Sequence, residues 1–144
     1  MATFQSNAVI SGIMPEHPLA GVVQCRTIKF TAAAEMAIAS VIEMCPVKAG
    51  MEIVGMDLKW TVTTALATIN VGETDADRFF AALAIATAGA ATLIADGAPA
   101  TGLNHIYTAD DTIDIVLAGA VIPAAAVITM NVYYKMQGAI EDEG

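Results

Sequence analysis

The chain has 144 residues, of which 56% are hydrophobic and 15% charged, with a formal net charge of −9. That length supports one well-buried core and not two. The charged fraction lies well under the roughly 25% usual for soluble domains, so much of the surface is expected to meet other protein.

Acidity is uneven: residues 71 to 144 hold ten acids against two bases, whereas residues 1 to 70 hold five against four. The six bases, Arg26, Lys29, Lys48, Lys59, Arg78 and Lys135, are scattered singly. Phosphate binding needs clustered Lys and Arg, so nucleic acid is not an expected partner. A membrane is not expected either. The run FFAALAIATAGAATLIA, residues 79 to 95, is uncharged but diluted by Ala, Thr and Gly, and it falls short of the about 20 strongly apolar residues of a spanning helix. MATFQSNAVISG lacks a basic region followed by an apolar core, so the chain is expected to be made inside the cell without a secretory signal.

Residues 1 to 21 read as an extended N-terminal arm, with Pro15 and Pro18 bracketing Glu16 and His17 and with Gly12 and Gly21 on either side. From Val22 a period of two begins. Val23, Cys25, Thr27 and Lys29 lie on one face, and Gln24, Arg26, Ile28 and Phe30 on the other. Ser40 to Cys45 reads as a strand ending at the PVKAG turn, residues 46 to 50. MEIVGMDLKWTVTTALATINVG follows with β-branched residues and Trp60, and holds two strands or one bent one. Phe79 to Ile94 is ambiguous, because Ala favours helix while Gly89 and the repeated Thr residues oppose it. LNHIYTA, TIDIVLAG and AVITMNVYYK then give three more strands, and QGAIEDEG is an acidic tail.

About eight short strands separated by Gly and Pro turns predict an all-β fold, a single-domain antiparallel β-sandwich or jelly roll. The expected division is an arm over 1–21, the sandwich over 22–136 and the tail over 137–144.

Reactive constellations are sparse. Ser6, Ser11 and Ser40 lie outside any GxSxG elbow, and the histidines are His17 and His105. Cys25 and Cys45 sit in apolar alternating segments, where reduced, buried thiols are the first expectation and a cross-strand disulfide the second. No CxxC or HxxxH supplies a zinc site, and no GxGxxG or Walker loop is present, so no cofactor is expected. VGETDADRFF, residues 71 to 80, carries Glu73, Asp75 and Asp77 but lacks the loop glycine and distal Glu of a calcium-binding EF-hand. It reads as a structural corner: Thr74 or Asp75 caps a turn, Arg78 pairs with a carboxylate, and Phe79 or Phe80 re-enters the core. TADDT, with Asp110 and Asp111, reads likewise as a turn before the strand that bears Asp114.

Three segments together, SVIEMCPVKAGMEIVG, INVGETDADRF and YTADDTIDIVLAGAVIPAAAVITMNVYY, resemble small β-sandwich structural proteins of tailed bacteriophages over roughly residues 22 to 135. The Cys45-Pro46-Val47-Lys48 turn departs from the pattern, in which an apolar residue more often precedes the proline. The resemblance implies a non-enzymatic virion protein of the capsid decoration, or cement, type. It implies a place on the capsid surface, the major capsid protein and further copies of the chain as partners, and a symmetric dimer or trimer. Under it the arm residues Phe4, Val9, Ile10, Ile13 and Met14 contact capsid or sister subunit. Rival readings are a tail or head-fibre component, a receptor-binding jelly roll, which needs an aromatic groove, and a small β-fold enzyme, which needs converging titratable residues.

Overall fold

Residues 127 to 136 show how the sequence builds the molecule: Ile128, Met130, Val132, Tyr134 and Met136 are buried, and the residues between them are half-exposed. A period of two places alternate side chains on opposite faces of a strand, so one face makes core and the other makes surface. The computed structural model describes residues 2–10, 22–61 and 64–137. Its strands are β1 (Thr3–Gln5), β2 (Gln24–Thr31), β3 (Val41–Val47), β4 (Met51–Trp60), β5 (Thr68–Gly72), β6 (Phe80–Ala84), β7 (Gly89–Thr92), β8 (His105–Ile106), β9 (Asp111–Ala118) and β10 (Val127–Met136). Two single-turn helices, α1 (Asn7–Ile10) and α2 (Leu93–Asp96), complete it.

The strands form two sheets, ordered β1-β3-β9-β5-β6 and β2-β10-β4-β7, with β8 paired to β4. Without the short β1 and β8, eight strands pass from sheet to sheet at every connection except the β5–β6 hairpin, giving the orders β2-β10-β4-β7 and β3-β9-β5-β6 of a jelly roll, which is the fold class expected from the sequence. Ile42, Met44, Ile69, Val71, Ile113 and Ile115 of one sheet and Ile28, Met56, Leu58, Met130 and Val132 of the other are buried in one core. Burying side chains of this kind is worth about 1.5–3 kcal/mol each against leaving them in water.

Four local readings change. Part of the segment expected to be an arm outside the core joins the sheet: Thr3–Gln5 form a strand and Asn7–Ile10 a helical turn after it. β1 pairs in parallel with β3, Thr3 opposite Val41 and Gln5 opposite Glu43. Phe4 meets Phe30 edge-to-face with ring centroids 6.4 Å apart. Buried Ser6 donates its hydroxyl proton to the Met44 carbonyl. The physical reason is that β3 otherwise presents open backbone groups that a short parallel strand satisfies.

Pro46 lies inside β3 instead of ending it. The register of β1 stops at Glu43, so the missing N–H of Pro46 interrupts no ladder on that side. Residues 80 to 92 are two strands despite their alanines. Trp60 donates its indole N–H to the Thr87 carbonyl at 2.7 Å, and Gly89 lies against the Trp60 ring, so tertiary contacts override helix propensity. Finally, both cysteines are free, but only one of them is buried as expected: Cys45 lies in the core on β3, while Cys25 is exposed on β2 of the other sheet. Opposite sheets and opposite orientations exclude the cross-strand disulfide.

Candidate functional site

The corner after β5 is built by its acids. Gly72 leaves no room for a side chain, since an added Cβ would lie 1.9 Å from the Asp75 carbonyl oxygen. Glu73 then folds back over the turn, its carboxylate accepting from the Asp75 N–H at 2.8 Å and pairing with the Arg78 guanidinium. Asp75 accepts the Arg78 N–H through its own carbonyl at 3.1 Å, and its carboxylate lies 3.8 Å from the guanidinium. Asp77 is exposed, and Phe79 and Phe80 are fully buried. Asp110 accepts the Ala49 N–H at 3.0 Å, and Asp111 accepts the Thr112 N–H at 2.8 Å. These carboxylates are engaged in closing turns.

His105 joins the corner from β8, its Nε2 being 3.4 Å from Glu73 and its ring edge-to-face with Tyr107. Burial, and then the nearby Arg78 charge, hold its pKa below the usual value, so the imidazole is neutral near pH 7. Burial pushes the Cys45 thiol up to about 12 and keeps it a thiol, whereas a nucleophilic cysteine needs a lowered pKa. Ser6 is committed to the Met44 carbonyl, and Ser40 is fully buried. Among the described residues no group of three or more His, Cys, Asp or Glu side chains is placed to hold a metal ion. The corner brings together fixed, paired charges rather than a poised acid, base or nucleophile.

A second carboxylate group lies on the outward face of the β1-containing sheet. Register sets Glu43 of β3 directly opposite Asp114 of β9, with Gly72 on the other side. Gln5 donates to Glu43, and Thr112 donates to Asp114 at 2.7 Å. Burial first, then Glu43, Asp111 and Glu73, raises the Asp114 pKa to about 6, against the opposing effect of the Thr112 hydrogen bond.

The N-terminal elements shape a different surface. Thr3, Phe4, Gln5 and Ile10 face Lys29, Phe30 and Thr31 across an open hollow of about 750 Å³ between the edges of the two sheets. Phe4 and Val9 are half-buried, and Ile10 is 66% exposed. Ile13 and Met14, named with them from the sequence, lie outside the described residues. A smaller groove of about 520 Å³ runs over the other sheet between Val23 and Ile94, with Gly55 and Tyr133 lining it. Sequence reasoning missed this groove, because a β-bulge beside Gly55 aligns residues that no local motif connects.

No protein-family model matches the chain, and no curated protein matches it. Solved structures do. A chain in the capsid of Ralstonia phage GP4 superimposes with a TM-score of 0.78 at 20% identity, covering 95% of this chain and 99% of that one. A chain of the cyanophage Pam1 capsid asymmetric unit gives 0.65 at 22%, covering 85% and 90%. A chain of the acidic stable capsid structure of Helicobacter pylori bacteriophage KHP30 gives 0.50 at 16%, covering 80% and 94%. The chain shares its fold with chains of three phage capsids.

Proposed function

We propose that the protein is a non-enzymatic structural component of a bacteriophage virion, a decoration or cement protein that binds the outside of the major capsid lattice and stabilises contacts between capsomers. The observation that carries this reading is end-to-end correspondence: the fold match spans almost all of this chain and almost all of the phage GP4 capsid chain. A domain shared whole, without a large insertion, has little room for an added catalytic module. The engaged carboxylates of the corner and the un-ionised Cys45 support the same reading.

The capsid-facing surface in this reading is the N-terminal one. Phe4 and Ile10 line a hollow whose walls mix Phe30 and Ala33 with Thr3, Gln5, Lys29 and Thr31, half-buried Val9 belongs to the same segment, and an exposed isoleucine at such a hollow suits insertion between protein subunits. Copies of the chain associate as a symmetric oligomer on the lattice.

Purified protein added to particles that lack it tests the proposal. Cryo-electron microscopy should show it at regular lattice positions, and heated particles should retain their DNA longer with it than without it. Density at the tail alone, or unchanged DNA retention at full occupancy, rejects the cement role. Ile10→Asp should lower occupancy about tenfold while leaving the unfolding temperature unchanged. Undiminished occupancy removes the N-terminal surface from the contact.

A further inference from the structure

One end of the sandwich carries three tight turns built alike. Ser40 donates its N–H to the Ala37 carbonyl at 3.2 Å, Ala67 to Thr64 at 3.2 Å, and Ala126 to Pro123 at 3.3 Å. The third residue of each turn has positive φ: Ala39 at 67°, Leu66 at 67° and Ala125 at 65°. Positive φ at that position alone defines a type II turn, where glycine or asparagine is the relaxed choice. Alanine and leucine there carry backbone strain, and strain of this sort collects where a surface has work to do. The gain for that strain is apolar display. Leu66 is 80% exposed, and Ile38, inside the Ala37–Ser40 turn, and Val121, just before the Pro123–Ala126 turn, are exposed as well.

These turns are held together. Ala32 and Ala125–Ala126 exchange backbone hydrogen bonds, as do Met36 and Ile122, while Ala39 donates to Leu117 and Ile85 to Ala67. Buried Met36, Ala67, Ile85 and Ile122 root them in the core. A preorganised surface loses little freedom when it binds.

Charge selects the occupant. Among the described residues of the four connections at this end, 32–40, 61–67, 85–88 and 119–126, Glu35 is the one charged side chain. The opposite end holds Lys48, Glu73, Asp75, Asp77, Arg78, Asp96 and Asp110. Two copies of a chain with net charge −9 repel wherever acids face each other, and meet without that cost at this end. Interface cores are depleted of charge. The surface residues of the four connections approach the roughly 20 a side that a stable interface uses.

We propose that this end is a homotypic interface, at which a second copy packs its own uncharged turns across a two-fold axis with Leu66 as the central anchor. The proposal deepens the structural reading above and rests on it only for the claim that the chain works in an assembly.

Sedimentation equilibrium over a range of protein concentrations tests it, using the full chain, Leu66→Asp, Ile38→Asp as a second probe, and Ile94→Asp as an opposite-end control. Aspartate tolerates positive φ, so Leu66→Asp should keep the fold. Self-association is expected for the full chain and for Ile94→Asp, with the dissociation constant raised at least about tenfold in both tip variants. A full chain that stays monomeric, tip variants that associate as tightly as the full chain, or equal disruption by Ile94→Asp overturns the proposal. Occupancy on undecorated particles separates the two claims. Tip variants that no longer self-associate yet still bind particles support an interface between copies. A monomeric full chain whose particle binding is lost in Leu66→Asp assigns this end to the shell protein, which overturns the homotypic interface and leaves the virion reading standing.

Discussion

The two ends of the sandwich are closed by turns of opposite chemistry on the same strands. At the acid-rich end, side chains close the turns: Glu73 takes the Asp75 N–H, Asp110 that of Ala49, Asp111 that of Thr112, and Asp96 that of Thr92. At the other end, backbone bonds do the closing, and Ala39, Leu66 and Ala125 stand at positive φ. Carboxylates relax a turn and keep it in water. Methyl groups at positive φ strain a turn and make its surface apolar, so the first end is built for its own stability and the second for contact.

Substitutions at the acid-rich end should therefore be read in unfolding free energy. The largest effect is expected from Phe79→Ala. Phe79 is fully buried and packs on Gly102 and edge-to-face on His105, so its loss leaves a cavity worth about 4 kcal/mol in urea unfolding. A change under about 1 kcal/mol shows that the corner is not anchored in the core. Arg78→Met comes next. It strands the Glu73 carboxylate, whose side chain is only 5% exposed, and because Arg78 itself is partly solvated the cost is about 2 kcal/mol. Glu73→Gln in the Arg78→Met background should restore most of that loss, which a purely steric role for Arg78 does not allow.

Asp114→Asn acts with the opposite sign. Asp114 has its folded pKa raised from 3.8 to about 6, so the native state takes up its proton before the unfolded chain does as pH falls. Its contribution thus improves from about pH 6 down to about pH 4 and is unfavourable above pH 6. The asparagine variant should be more stable by about 1 kcal/mol at pH 7.5, after discounting for the solvent around a half-exposed group, and no more stable at pH 4. A gain of equal size at both pH values points to packing instead of charge among Glu43, Asp111, Asp114 and Glu73.

Strand positions were legible where a period of two survived, as in β9 and β10, because alternation is a property of single residues. The short β1 was not, since its pairing with β3 is parallel and joins residues far apart in sequence. The alanines of residues 80 to 92 concealed two strands for a related reason: Trp60, twenty or more residues earlier, decides their conformation. The acids of the corner were legible as turn chemistry because Asp and Glu next to Gly and Thr act locally. The three matching turns were not. ALA, IAS and AAA give no turn signal, and only the assembled backbone shows that each holds positive φ.

The smallest expected effect discriminates best between the two ends. Leu66→Asn puts a residue that favours positive φ into a turn that demands it, and should stabilise the isolated chain by about 0.5 kcal/mol. Association stabilises the folded state by mass action, more strongly as concentration rises. If Leu66 anchors contact between copies, the variant melts higher than the parent in dilute solution and lower in concentrated solution, and the two curves of unfolding temperature against concentration cross. A control substitution at the acid-rich end, Ala76→Asn on the exposed part of the corner, where φ is not positive, leaves a curve that runs parallel to the parent's and does not cross it. Parallel curves for Leu66→Asn at every concentration mean that strain at this turn serves nothing outside the chain, and the contrast between the ends reduces to turn chemistry alone.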